Sequence, residues 1–152
     1  TPEQRLQQLG LVLPTVSAPR GNFDAYVLDG HTLYLSGKGS PLRNDMAVVP
    51  KVGCEISTDE ARQHARDVGL HLIATMQAAL GDLSRVRRVV KVLGMVNAVP
   101  DFMQHTEVIN GCSDLLVEVF GDAGRHARSA VGVASLPRGF AVEIEAVVSI
   151  KD

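Results

Sequence analysis

Regular alternation of apolar and polar residues near the C-terminus constrains the fold more than any other feature. Every second residue of the segment 142–148 is apolar: Val142, Ile144, Ala146 and Val148. Glu143 and Glu145 fall between them. Since side chains of a β-strand alternate between its two faces, this segment predicts a strand with one face packed on helices. The opposite face carries two carboxylates, and we expect a second copy of the chain to cover it.

Two amphipathic helices are predicted to cover the apolar face. Ser57 and Glu60 form a capping-box pattern at the start of the first helix, and Gly81 ends it. The second helix is predicted from Met103 to Phe120. Asp29-Gly30 is a type I′ turn signal between two short apolar runs and predicts a hairpin.

The predicted strands complete the architecture. Their expected bounds are 23–28, 31–36, 86–96, 128–134 and 140–150, and a polar loop is expected over 38–50. The order β-β-α-β-α-β-β implies an α+β sandwich, with a mainly antiparallel sheet and two helices on one face.

Length and charge narrow the classes of function. A chain of 152 residues forms one domain, which we place at 17–152 after an N-terminal extension at 1–16. The net charge of −2 and the 4% aromatic content argue against nucleic acid as a partner. The one basic run, Arg85 to Lys91, has no interleaved aromatic residues and is typical of a solvated strand edge or a subunit contact.

The cysteines and the hydropathy pattern predict compartment and metal content. Cys54 and Cys112 lie far apart and form no metal-ligand spacing, so we expect two free thiols and no metal. Because no apolar run reaches membrane-spanning length and no export signal is evident, we expect a cytoplasmic protein.

The most specific motif spans the last two predicted strands and the loop between them. It comprises Ala127-Arg128-Ser129, Leu136-Pro137 and the segment 142–146. With these residues the chain resembles the Rid/YjgF proteins, which include enamine/imine deaminases and proteins labelled endoribonuclease L-PSP. The resemblance covers about Ser17 to Lys151. It implies a chorismate-mutase-like fold, a homotrimer, and ligand sites in the clefts between subunits.

The resemblance also implies a reaction, the hydrolysis of 2-imino acids to 2-keto acids and ammonia. Arg128 would clamp the substrate carboxylate and Glu143 would position the attacking water. Ser36 and Gly37 would hydrogen-bond the ligand, and Asn110, expected to open the second helix, would lie at the cleft edge. No cofactor is required, since a conjugated imine carbon is already electrophilic.

Three residues depart from the pattern of this family. Phe23 replaces a tyrosine, Lys38 replaces a glutamine, and Ala130 replaces a cysteine. Lys38 would favour a more anionic ligand than a simple imino acid. Tyr26 lies near Phe23 but should face the other way by strand alternation.

These departures leave other functions open. One alternative is a trimer that binds a small carboxylate without turnover, because an arginine clamp alone supplies affinity. Another is the ribonuclease activity of the family label, for which the sequence offers no histidine pair at acid/base spacing. Glu145 shares the predicted face of Glu143, and either carboxylate could instead be an interface group.

Overall fold

A five-stranded sheet organises the molecule. The computed structural model describes residues 1–40 and 49–152, so most of the loop expected over 38–50 lies outside the described residues. The strands are β1 (Tyr26–Asp29), β2 (Thr32–Gly39), β3 (Val86–Asn97), β4 (Ala127–Val133) and β5 (Val142–Ile150). Their spatial order is β1-β2-β5-β3-β4. All neighbouring pairs are antiparallel except β3 and β4, which confirms the mainly antiparallel sheet.

Two long helices pack on one face of this sheet, as the sequence predicts. They are α2 (Thr58–Leu80) and α3 (His105–Phe120), and a short α1 (Pro2–Gln8) precedes them. The Ser57 hydroxyl accepts a hydrogen bond from the Glu60 amide at 3.1 Å, which caps α2. Gly81 ends the helix with φ 76°. We call the sheet face under α2 and α3 the helix-covered face and the other the open face.

Strand β5 shows the predicted alternation. Val142, Ile144 and Val148 are fully buried and Ala146 is 2% exposed, all under the helices. Glu143 and Val147 are half-buried and Glu145 is exposed on the open face. Burying each Val or Ile side chain contributes about 1.5–3 kcal/mol, so a one-residue register slip of β5 would be strongly disfavoured.

The last two strands are not neighbours, although they follow one another along the chain. Helix α3 carries the chain from β3 to β4 in a crossover, as parallel strands require, so β4 lies at the sheet edge. The chain then returns to form β5 on the far side of β3. Strand β3 therefore separates Arg128 from Glu143.

The N-terminal extension packs onto the domain. Leu6 is 5% exposed and joins the core. The Arg5 guanidinium donates to the Val119 carbonyl at 3.1 Å, and the Glu3 carboxylate accepts from the Leu83 amide at 2.7 Å. Neither α1, α2 nor α3, the helices of the described part of the chain, is long and apolar enough to cross a membrane.

Candidate functional site

Glu143 lies on the open face and lines a cavity of about 440 Å³, which we call the Glu143 cavity. The N-terminal segment, the end of β2, one side chain of α2 and the turn before β5 form its walls. Its lining residues are Ser17, Ala18, Pro19, Arg20, Phe23, Ala25, Ser36, Gly37, Lys38, Gly39, His71, Pro137, Arg138, Phe140 and Glu143. The sequence-predicted residues Phe23, Ser36, Gly37 and Lys38 thus meet Glu143 within one chain.

A bulge in β2 shapes this cavity. The register against β5 shifts by one residue between Leu35 and Lys38, so the ladder is interrupted at Ser36 and Gly37. A Cβ at Gly37 would lie only 2.9 Å from Glu143 Oε2, so the absence of a side chain makes room for the carboxylate. The prediction that the second strand ends at Ser36 is wrong, because β2 resumes after the bulge and continues to Gly39.

The segment before β1 is held to the bulge by Ser36. The Ser36 hydroxyl donates to the Asp24 carbonyl at 2.6 Å, and its amide donates to the Ala25 carbonyl at 3.0 Å. Because the interrupted ladder offers no regular partner there, β1 begins at Tyr26 and not at Phe23 as predicted. Phe23 is 57% exposed and lines the cavity, whereas Tyr26 packs against the core, so the ring at the cavity has no hydroxyl.

The environment of Glu143 makes it a better base than an ordinary glutamate. Partial burial raises the pKa of its carboxyl group, and the neighbouring Glu145 carboxylate raises it further. A carboxylate of raised pKa beside an open cavity is suited to taking a proton from water.

Arg128 belongs to a different group of residues, which we call the Arg128 cluster. Its Nη1 donates to Asn110 Oδ1 at 2.9 Å and to Ser113 Oγ at 3.1 Å. Asn110 and Ser113 lie one turn apart on α3, so the helix fixes the guanidinium at the sheet edge. Among the described residues, Nε and Nη2 have no hydrogen-bond partner, and this edge of the guanidinium is suited to binding a carboxylate bidentately.

A histidine completes the Arg128 cluster. His126 Nδ1 donates to the Gly124 carbonyl at 2.7 Å, because a carbonyl can only accept. Its Nε2 therefore accepts from the Ser113 hydroxyl, 2.9 Å away, when the imidazole is neutral. Burial lowers the pKa of His126, the Gly124 carbonyl opposes this, and the Arg128 charge lowers it further. The neutral imidazole orients the Ser113 hydroxyl so that its oxygen accepts from Arg128.

Two further predicted residues lie with Arg128 and not with Glu143. Asn110 is the sixth residue of α3, so the prediction that it opens the helix is wrong; α3 begins at His105. The helix bounds predicted from periodicity, Met103 to Phe120, differ from the observed ones by two residues at the N-terminus, where α3 has no side-chain cap. Ala130 shares the face of Arg128 and packs against the core.

The Arg128 and Glu143 side chains lie on opposite faces of the sheet. Arg128 pairs with Val92 in the ladder, and Val92 and Ala146 are buried under the helices. Glu143 pairs with Met95, whose side chain lies on the open face. Two strand spacings and three residues separate their Cα atoms by about 14 Å. Arg128 and Glu143 of one chain therefore do not form one site.

Several residues of these groups escaped the sequence reasoning. Arg20, His71 and Arg138 line the Glu143 cavity. Ser113 accepts a hydrogen bond from Arg128, and His126 in turn bonds to Ser113. His126 and Arg138 flank the recognised motif directly, which was the signal available. The others are brought in by tertiary packing. The described residues contain no group of three His, Cys, Asp or Glu side chains arranged to hold a metal ion.

Comparison with known proteins agrees with this architecture. The family described as "YjgF/chorismate_mutase-like, putative endoribonuclease" matches residues 3–141. The chain is 45% identical over 150 residues to "Protein TCP17" of Trypanosoma cruzi, covering 97% of this chain and 92% of that protein. It is 32% identical over 139 residues to a "2-iminobutanoate/2-iminopropanoate deaminase" of Dermatophagoides farinae, covering 91% and 93%.

A solved structure supports the same assignment. The protein Atu1372 of Agrobacterium tumefaciens, of unknown function, superposes with a TM-score of 0.86 at 41% identity, covering 99% of this chain and 92% of that one. The family match, the relatives and the superposition agree. The chain belongs to the Rid/YjgF family, with its YjgF/chorismate-mutase-like fold.

Proposed function

We propose that this protein hydrolyses 2-imino acids to 2-keto acids and ammonia, at a site made by two copies of the chain. Arg128 of one copy clamps the substrate carboxylate, and Glu143 of the neighbouring copy positions the water. The observation that carries this proposal is the separation of the two groups on opposite sheet faces, each arranged for one half of the reaction.

The Arg128 cluster supplies the anion clamp. Asn110 and Ser113 engage Nη1 and leave the Nε and Nη2 edge for a carboxylate. Two parallel charge-assisted hydrogen bonds fix both the position and the orientation of the substrate. The imine carbon next to that carboxylate is then held at a defined place in the cleft.

The Glu143 cavity supplies the base. Water attacks the imine carbon while Glu143 takes its proton, and a C–O bond forms as the C=N π bond breaks. Glu143 returns this proton to the nitrogen, giving a carbinolamine. Glu143 then takes the proton of the carbinolamine hydroxyl and passes it to the nitrogen, so that the C–N bond breaks, ammonia leaves and the keto group forms. Phe23 and Phe140 provide apolar walls, which strengthen the electrostatic interactions inside the cavity.

We further propose a homotrimer. The open face carries exposed apolar side chains, including Val27, Tyr34 and Val131, which a neighbouring copy would bury. A head-to-tail ring brings the edge strand of one copy to the open face of the next.

The name of the Dermatophagoides farinae relative supports the reaction class.

An imine assay tests the reaction. An amino-acid oxidase generates 2-iminobutanoate in situ, and semicarbazide traps the imine that is not hydrolysed. Because the protein and semicarbazide compete for the imine, an active protein should slow semicarbazone formation. Glu143→Gln should lower kcat by about 10²-fold or more, and Arg128→Ala should mainly raise KM. Lys151→Gln, an exposed substitution, is the control.

The same samples separate the alternatives. Imine hydrolysis that is unchanged in both variants would overturn the assignment of Arg128 and Glu143 to the site. Stabilisation by 2-oxobutanoate that depends on Arg128, without any imine hydrolysis, would instead identify a non-catalytic binding protein. RNA cleavage that survives both substitutions would support the ribonuclease alternative.

A further inference from the structure

The charge inside the Glu143 cavity exceeds what a substrate with one carboxylate needs. Arg20, Lys38, His71 and Arg138 line it together with Glu143, the only carboxylate among its lining residues in the described part of the chain. In a chain with a net charge of −2, three formally charged cations around one small cavity form a local positive region.

Lys38 is held in this region by the sheet. After the bulge it pairs with Ile144, and its side chain approaches His71 on α2, whose pKa is lowered chiefly by burial and then by the Lys38 charge. Burial also lowers the pKa of Lys38 itself. Within the described residues Lys38 forms no hydrogen bond or ion pair, so an anion in the cavity would offset the cost of desolvating it.

Arg138 also lines the cavity and lies in a constrained turn. Its φ of 57° and ψ of 18° lie in the left-handed region, which is uncommon for residues other than glycine. The Gly139 amide bonds to the Leu136 carbonyl, and the Phe140 amide bonds to the Pro137 carbonyl, each at 3.1 Å. The turn thus fixes a strained backbone at the cavity, as is common at ligand-binding sites.

The number of cationic side chains at the site indicates the substrate class, and this inference rests on the proposed function. Arg128 of the neighbouring copy would already bind the carboxylate next to the imine. A monocarboxylic imine would leave Lys38 and Arg138 without an anionic partner. We propose that the preferred substrate is the 2-imino acid of a dicarboxylic amino acid, with its distal carboxylate bound between Lys38 and Arg138.

A comparison of two imines tests the proposal. 2-Iminoglutarate and 2-iminobutanoate are generated in situ by amino-acid oxidases, and kcat/KM is measured for each. The wild type should prefer 2-iminoglutarate. Lys38→Gln and Arg138→Asn should each lower the ratio of kcat/KM for 2-iminoglutarate to kcat/KM for 2-iminobutanoate about tenfold or more. Asparagine is chosen at 138 because it tolerates positive φ.

The controls separate this proposal from the proposed function. Lys151→Gln removes an exposed charge outside the cavity and should change kcat/KM for neither imine. Hydrolysis of both imines without a preference, or equal losses for both in the variants, would overturn the dicarboxylate proposal and leave the deaminase proposal standing.

Binding gives a readout independent of turnover. Thermal stabilisation by 2-oxoglutarate should exceed that by 2-oxobutanoate, and the difference should disappear in Arg138→Asn. If no imine is hydrolysed, the deaminase proposal fails, while this binding difference still supports a dicarboxylate site. Equal stabilisation by the two keto acids would refute that site.

Discussion

At the scale of single residues, two effects raise the pKa of Glu143, the proposed base. Partial burial and the Glu145 carboxylate both oppose its ionisation, and Gly37 leaves room for its oxygen atoms. The glutamate pair is visible in the sequence. Which member is the base depends on the cavity, because Glu143 lines it and Glu145 does not.

The first prediction concerns the pH dependence of turnover. Glu145→Gln removes a repulsive charge, so the pKa of Glu143 should fall towards the ordinary glutamate value. Since the base form is the active one, the acid limb of the kcat/KM profile should move to lower pH. Glu107→Gln removes a carboxylate on α3 and is the control. If the acid limb of the kcat/KM profile stays at the same pH in Glu145→Gln, Glu143 is not the titrating base.

The second prediction concerns His126. Its folded pKa is depressed, so the unfolded state takes up the proton first as pH falls. Its contribution to stability is therefore present above the unfolded pKa of about 6.5 and is lost as pH falls through the folded pKa. Protonation also removes the acceptor that orients Ser113.

The comparison is between the wild type and His126→Gln. On acidification the Tm of the wild type should fall further than that of His126→Gln. The KM of the wild type for a carboxylate substrate should also rise more than that of the variant. His64→Gln on α2 is the control. Parallel Tm and KM profiles in the wild type and His126→Gln would contradict a positioning role for the imidazole.

At the scale of elements, helix α3 positions Arg128, the proposed anion clamp. It carries Asn110 and Ser113, so its distance from α2 and from the sheet sets the place of the guanidinium. Gly111 lies where α3 approaches α2, and a Cβ there would overlap the backbone carbonyl oxygen of Arg62. This contact fixes the spacing of the two helices.

The third prediction tests that contact. Gly111→Ala should lower Tm by several degrees, because overpacking costs about 1–3 kcal/mol and outweighs the better helix propensity of alanine. The displaced helix should also raise KM for a carboxylate substrate. Thr106→Ala, on the exposed side of the same helix, should change Tm little. Equal Tm values for the two variants would contradict tight packing at Gly111.

At the scale of the whole molecule, the sheet separates the two functional groups. The helices cover the face that carries Arg128, and the open face carries Glu143 and exposed apolar side chains. One chain alone cannot bring them together. A complete site in the proposed assembly therefore requires a neighbouring copy.

The fourth prediction uses mixed oligomers. Arg128→Ala and Glu143→Gln chains with different tags are co-expressed, and oligomers with both tags are purified. In a cyclic trimer one of three interfaces regains both residues, so kcat/KM, measured at substrate concentrations far below the KM of Arg128→Ala, should return to about one third of the wild-type value. A two-fold dimer would give about one half.

The control mixture pairs Glu143→Gln with the double variant, so no chain carries Glu143, and its kcat should stay about 10²-fold or more below that of the wild type. Mixed oligomers of the two single variants that also stay inactive would overturn the shared site. Sedimentation of the same samples reports the oligomeric state.

The sequence predicted the elements well because local signals carry them. The Ser57 cap, the Gly81 stop and the alternation in β5 each act over a few residues. The errors lie where local signals are weak or are overridden. Helix α3 starts without a side-chain cap, and the bulge at Ser36 and Gly37 interrupts β2 without a residue pattern that requires it.

By itself the sequence determined the α+β class, the helix-covered face and the identities of Arg128 and Glu143 as candidate residues. Periodicity and motif spacing are properties of residues close together in the chain, so they can be recognised in the sequence alone. Only the tertiary structure decided that β3 separates β4 from β5, that Arg128 and Glu143 lie on opposite faces, and that Lys38, His71 and Arg138 share one cavity. These facts depend on contacts between residues far apart in the chain, which no local pattern encodes.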